Sequence, residues 1–184
     1  GEIHSGRASM IFVTEPFSTK KQVKLDNPSQ AGRDKISVLK LNSTRKFLTG
    51  IYPYSTMTSV FSPVSLSNHK SPLKLSMSAQ EWCGQVYQQI NLDGNKFKVS
   101  SYSYFESEGD EKFYLERSYL EDELFNLIRL NPELLPTGEI SIIPSAVVSR
   151  FKHEEYAPLQ AEAMLTSSTF KEMPVQEYQI KYKD

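Results

Sequence analysis

The chain has 184 residues, 39% hydrophobic and 23% charged, with 21 basic and 22 acidic side chains. That length suits one domain with a sizeable buried core, so residues 1–184 are expected to form a single unit. A formal charge of −1 argues against a phosphate-binding surface, and the apolar content argues against disorder.

No run approaches the roughly 18 apolar residues of a membrane helix. The sequence starts at Gly1 rather than Met, as a trimmed N-terminus or an expression remnant would, so an export signal is expected upstream. A single cysteine, Cys83, excludes an internal disulfide and a multi-cysteine zinc site.

In chain order, Ser9 to Thr14 is the first expected strand. Lys20, Lys21 and Lys24 form the densest basic group; it reads as a polar turn between strands, and no nucleic-acid partner is expected. Ile36 to Leu41 follows as a strand whose apolar phase slips between Val38 and Leu39, the mark of a bulge. The stretch from Phe47 to Val64, broken by Gly50, Pro53 and Pro63, reads as a long strand pair. Leu73, Leu75, Met77 and Ala79 alternate with polar residues, which puts them on one face of a strand. Val86 to Leu92 and Phe97 to Tyr104 flank Asp93-Gly94-Asn95, whose Asp-Gly favours the positive backbone angles of a tight hairpin.

One helix is expected after Ser118. Ser118 and Glu121 have capping-box spacing, and Leu120, Leu124, Leu127 and Ile128 form an apolar stripe. Glu121, Asp122 and Glu123 suit the positive end of the helix dipole, and Asn131-Pro132 stops the helix. Ile140 to Ile143 resumes strand character, and Ser145 to Phe151 is a candidate short helix. Ala161, Ala163 and Leu165, then Tyr178, Ile180 and Tyr182, mark two half-buried strands. About nine or ten strands with one or two short helices predict a mainly β fold, a curved antiparallel sheet or barrel-like closure.

The chemistry-bearing residues are few. Trp82-Cys83-Gly84 resembles half of a redox motif but has Val86 where the resolving cysteine belongs, so Cys83 is expected to be a buried structural thiol beside a core tryptophan. His4, His69 and His153 are scattered, and His153-Glu154-Glu155 lacks a second histidine at ligand spacing; no metal and no cofactor are expected. The acidic run from Glu106 to Glu111 lacks the full calcium-loop pattern and reads as a solvated turn. No nucleophile elbow, phosphate loop or dinucleotide fingerprint occurs, and no catalytic residue is assigned. The aromatic groups Tyr52, Tyr54 and Phe61, Trp82, and Tyr102, Tyr104 and Phe105 are expected chiefly in the core; they are also the candidate lining of a lipid or sugar pocket.

Several stretches carry a resemblance: Ile11 to Phe17, Lys21 to Asp26, Thr49 to Ser55, Gln80 to Gly84, and Tyr104 to Glu111. Together they resemble an uncharacterised family of bacterial secreted proteins and predicted lipoproteins, whose members sometimes carry the label "septum formation inhibitor Maf". The early Ser-x-Ser-x-x-Arg motif of true Maf-type nucleotide pyrophosphatases is missing here, so that label does not fit. The resemblance implies export to the periplasm or outer membrane, with any lipid-bearing cysteine upstream of Gly1 and membrane association only through that anchor.

The resulting expectation is a non-enzymatic envelope protein that binds a hydrophobic or glycan ligand. The alternatives are an assembly protein with an envelope partner, and a hydrolase built from distant residues such as His153 and the acidic run.

Overall fold

The computed structural model describes residues 4–66 and 71–183. The alternating segments become seven strands: β1 (Gly6–Ser18), β2 (Lys35–Thr49), β3 (Tyr52–Pro63), β4 (Lys74–Glu81), β5 (Gly84–Asp93), β6 (Lys96–Ser103) and β7 (Asp110–Glu116). They pair in chain order as one antiparallel sheet, each strand beside its sequence neighbour. Gly94 closes the β5–β6 hairpin with φ +61°, as the Asp-Gly pair predicts, and Asp93 pairs with Lys96 across it.

A second sheet holds β8 (Tyr119–Leu120), β9 (Gly138–Ile143), β10 (Leu159–Phe170) and β11 (Met173–Tyr182), in the order β11-β10-β9-β8. The molecule is thus mainly β, with a seven-stranded antiparallel sheet, a curled half-barrel sheet and two short helices. The β8–β9 pair is parallel and brings Tyr119 and Leu120 beside Ile142 and Ile143. Helix α1 (Leu124–Leu130) follows β8 through a 3-10 turn at Glu121–Glu123, and α2 (Ala146–Lys152) follows β9.

Burial follows the alternation. Leu75, Met77 and Ala79 of β4, Val86 and Ile90 of β5, and Phe97 and Val99 of β6 turn one face inward. Against them pack Leu120, Ile143, Ala146, Val147 and Tyr156. Each Val, Leu, Ile, Phe or Met among them contributes roughly 1.5–3 kcal/mol when fully removed from water. Helix α1 joins the layers. Leu124 and Leu127 pack with Ile140, Ile142, Ala161 and Ala163 of the second sheet. The fully buried Asn126 amide nitrogen donates to the Leu39 and Val60 carbonyls and to Ser62 Oγ of the first.

Three local expectations are corrected. No bulge interrupts β2: its register with β1 and β3 runs unbroken through Val38 and Leu39. Both residues are buried although successive side chains point to opposite faces, so the sheet is covered on both sides there. The capping box is not Ser118 with Glu121. Ser118 Oγ pairs with Ser141 Oγ, and Glu123 reaches back to the Leu120 amide at 3.0 Å.

The acidic triplet also serves elements other than α1. Asp122 accepts from Ser145 Oγ and from the Ala146 amide at 2.8 Å, placing a carboxylate at the start of α2. Glu121 accepts from the Ser145 amide and from the Tyr182 hydroxyl. Finally, Ile128 of the expected apolar stripe is exposed, because α1 turns Asn126 inward instead.

Candidate functional site

A polar cavity of about 710 Å³ opens between residues of β5, β6 and β7 and the end of α2 with the chain that follows it. Its wall is built by a short helix with one charge on its inner side. In Ala146-Val147-Val148-Ser149-Arg150-Phe151, the apolar residues hold α2 against the sheet, and Ser149 and Arg150 are carried inward with them. Arg150 Nη1 lies 3.3 Å from Glu108 Oε1, Nη2 lies 3.8 Å from Glu81 Oε1, and the guanidinium sits 4.4 Å over the Phe105 ring. The charge is therefore compensated on two sides, as a buried arginine requires.

Glu108 is the junction of this wall. It accepts from Ser103 Oγ at 2.5 Å, and its Oε1 lies 2.7 Å from His153 Nδ1. Burial pushes its carboxyl up, but the Ser103 and His153 hydrogen bonds and the Arg150 charge outweigh burial and hold it below its usual value. His153 reaches this position because it caps α2 in the left-handed region, φ 55°, which folds the chain back toward the β6–β7 loop. On the opposite wall the Tyr156 hydroxyl donates to Gln88 Oε1 at 2.8 Å, and Gln88 Nε2 faces Ser101 Oγ. Burial raises the Tyr156 phenol well above its ordinary value, so it stays a neutral donor.

Two polar atoms in the wall have no protein partner: Ser149 Oγ and Arg150 Nε. Both atoms lie beneath the cavity surface and out of reach of solvent. Four carboxylates, Glu108, Glu111, Glu154 and Glu155, line the cavity against the permanent cations Arg150 and Lys112. An anionic ligand is repelled by that balance. Phe113 and Leu115 supply the apolar part of the surface.

The chemistry available is recognition through hydroxyl, amide and carboxylate groups. Ser103 and His153 both bind the same carboxylate, so the carboxylate lies between them. Nucleophilic catalysis needs the imidazole between serine and carboxylate. Among the described residues no group of three His, Cys, Asp or Glu converges as a metal site.

The sequence candidates divide. His153 and the acidic run do meet in this cavity, and Glu108 is a bonded wall residue, not part of a merely solvated turn. Cys83 is exposed and Trp82 stands mostly in solvent, contrary to the expected buried thiol beside a core tryptophan, because both occupy the β4–β5 turn. His4 stacks on Phe47, and His69 lies outside the described residues.

Of the aromatics, Phe61 packs inward, stacked on the buried Phe17 at 4.8 Å, and the partly buried Phe105 packs against the main core. Tyr52, Trp82, Tyr102 and Tyr104 are exposed, which overturns their assignment to the core. Tyr54 and Trp82 line a second cleft of about 580 Å³ with Phe47 and Glu81. There Phe47 and Tyr54 stack at 5.1 Å and Phe151 of α2 meets both edge-on. A hydrogen bond to Glu81 is the main cause raising the Tyr54 phenol, so Glu81 contacts both the cleft and Arg150.

Sequence reasoning missed Ser149, Arg150, Gln88 and Tyr156. A detectable signal existed for one of them: Arg150 sits inside an otherwise apolar helical turn, where a charge must find a buried partner. No helix is long and apolar enough to cross a membrane among the described residues. No protein-family model, curated protein or solved structure matches the chain.

Proposed function

We propose that this chain is a non-enzymatic binding module of the bacterial cell envelope, and that the cavity beside α2 takes a neutral, polyhydroxylated ligand of the glycan type. The observation that carries this reading is the cavity's own lining, in which hydroxyl, amide and carboxylate groups stand beside an apolar patch in a space of ligand size. A sugar presents many hydroxyls that both donate and accept, together with apolar C–H faces. Gln88, Ser101, Tyr156 and the carboxylates match the first, and Phe113 and Leu115 match the second. The carboxylate excess disfavours fatty acids and phosphates, so the glycan alternative is preferred over the hydrophobic one. The envelope location rests on the family resemblance of the five sequence stretches and is tested by fractionating cells that express the full precursor.

The ligand class is tested by saturation-transfer difference NMR with chito-oligosaccharides, malto-oligosaccharides and laurate as separate probes. Transfer to one of the sugars is expected. Ser107→Ala should weaken binding roughly fivefold to tenfold, the worth of one hydrogen bond, and leave the fold intact because Ser107 is an exposed lining residue. Transfer to laurate alone, or to no probe, overturns the glycan reading.

A further inference from the structure

Because β1 to β7 pair in chain order, their connections fall alternately at two ends of the sheet. The β2–β3, β4–β5 and β6–β7 connections share one end. The β1–β2, β3–β4 and β5–β6 connections share the other, where Lys20, Lys21, Asp93 and Asn95 are exposed and Val23 and Val64 are the exposed apolar side chains. The first end is apolar. Leu48 is 55% exposed, Ile51 73%, Trp82 66% and Tyr104 67%, and Tyr52 is exposed beside them.

These tips form a connected rim. The Tyr52 and Trp82 rings meet edge to face at 5.6 Å, joining the first two turns. Gly84 joins the second to the third: a Cβ at that position would lie 2.4 Å from Tyr104 Cγ, so the Tyr104 ring rests directly on the glycine backbone. The rim is thus held in place by the fold, and its side chains are still left in water.

We propose that this rim is a bilayer-docking surface that inserts into the headgroup region of a phospholipid membrane. Three observations select lipid as the occupant. Ile51, Tyr52 and Tyr104 stand at or beside turns and line neither the cavity beside α2 nor the second cleft, which Leu48 and Trp82 border, so these three can enter a soft surface without a complementary pocket. Trp and Tyr have an apolar body with a polar edge, the combination that concentrates at membrane–water interfaces, and here they accompany Leu and Ile. Arg7 and Lys46 line the cleft beside the rim, where they can meet lipid phosphates, while its half-buried carboxylate Glu81 lies 3.8 Å from Arg150. The exposed Glu106, Asp110 and Glu111 at the third turn oppose attraction to anionic lipid, so apolar insertion drives binding. This contact is separate from the anchor-only membrane association that the sequence resemblance implies, and from the cavity beside α2.

Trp82 is the only tryptophan, so its emission reports on the rim directly. The protein is titrated with phosphatidylcholine vesicles carrying a minority of phosphatidylglycerol. A blue shift and quenching by lipids brominated near the headgroup are expected. Ile51→Ser should lower the partition coefficient roughly tenfold or more, the worth of one buried aliphatic side chain. Val23→Ser, an exposed apolar change near the polar end, should leave it unchanged. Ile51 is solvated in a turn, so its substitution does not threaten the fold, and circular dichroism verifies this. Unchanged wild-type emission with no co-sedimentation overturns the proposal. So does an equal loss for Val23→Ser, or binding of a protein partner through the rim with no vesicle partitioning.

Discussion

Glu123 offers a quantitative test of how this core is held. Its carboxyl is fully buried between α1 and the β8 segment; burial raises its pKa to about 8, against the Leu120 amide bond and the Arg117 charge. In the unfolded chain the group titrates near 4.5. The folded state therefore keeps a proton that the unfolded state has lost between those values. Stability from this group is fully present below pH 4.5 and falls with rising pH until the folded group ionises near pH 8. The slope is about 1.4 kcal/mol per pH unit, and the whole interval corresponds to roughly 5 kcal/mol as an upper bound. Glu123→Gln keeps the carbonyl that accepts from Leu120 and removes the ionisation. Urea unfolding of both proteins at several values from pH 5 to pH 8 should show the variant gaining on the parent steadily as pH rises. A difference between them that stays constant across the range would mean that Glu123 is ionised in the folded protein and paired with Arg117, and the argument from burial would fail.

A second prediction concerns Gly84→Ala, whose new methyl cannot coexist with the Tyr104 ring. It should destabilise by about 1–3 kcal/mol as overpacking does, and adding Tyr104→Ala should relieve most of the loss, read as a non-additive double-mutant cycle in thermal unfolding. A third concerns the long β1–β2 connection, which is tied down by Asp34 through Ser18 Oγ, Thr19 Oγ1 and the Lys20 amide. The Ser18 hydrogen bond is the largest of the causes lowering the Asp34 pKa from 3.8 to about 2. Its tethering is complete above pH 3.8 and is lost as pH falls toward 2. Asp34→Asn should raise hydrogen exchange at Lys20 at neutral pH; unchanged exchange would exclude the tether.

The strands were legible because each has one face to bury, and the period of two is enforced at every residue. Leu75, Met77 and Ala79 show it plainly, as does the turn at Asp93-Gly94. The Phe47 to Val64 stretch is not a strand pair of its own: Gly50 turns the end of β2 into the single strand β3, and Pro53 and Pro63 lie inside that strand without breaking it. The helix cap was misread because acidic residues before an apolar stripe suit the helix dipole in the abstract, whereas the actual partners of Glu121 and Asp122 lie on α2 and β11, more than twenty positions away. The cavity was illegible for the same reason. Gln88 and Tyr156, or Glu108 and Arg150, meet only when the second half of the chain folds over the first sheet, and nothing local records that distance. The exposed tryptophan and tyrosines were misjudged because composition counts aromatic residues without saying whether they fall on a strand face or a turn.

The chain-order pairing of the first sheet has a consequence for how the molecule is made. Every partner a strand needs has just left the ribosome when that strand arrives, so the sheet can grow by adding one hairpin at a time. Its inner face is then complete before its cover exists. Val60, Leu75, Met77, Ile90 and Val99 stay bare until Leu120, Ile143 and Val147 are delivered. The half-synthesised protein is consequently a sticky plate, and its hazard of aggregation peaks between the emergence of β7 and the docking of α2.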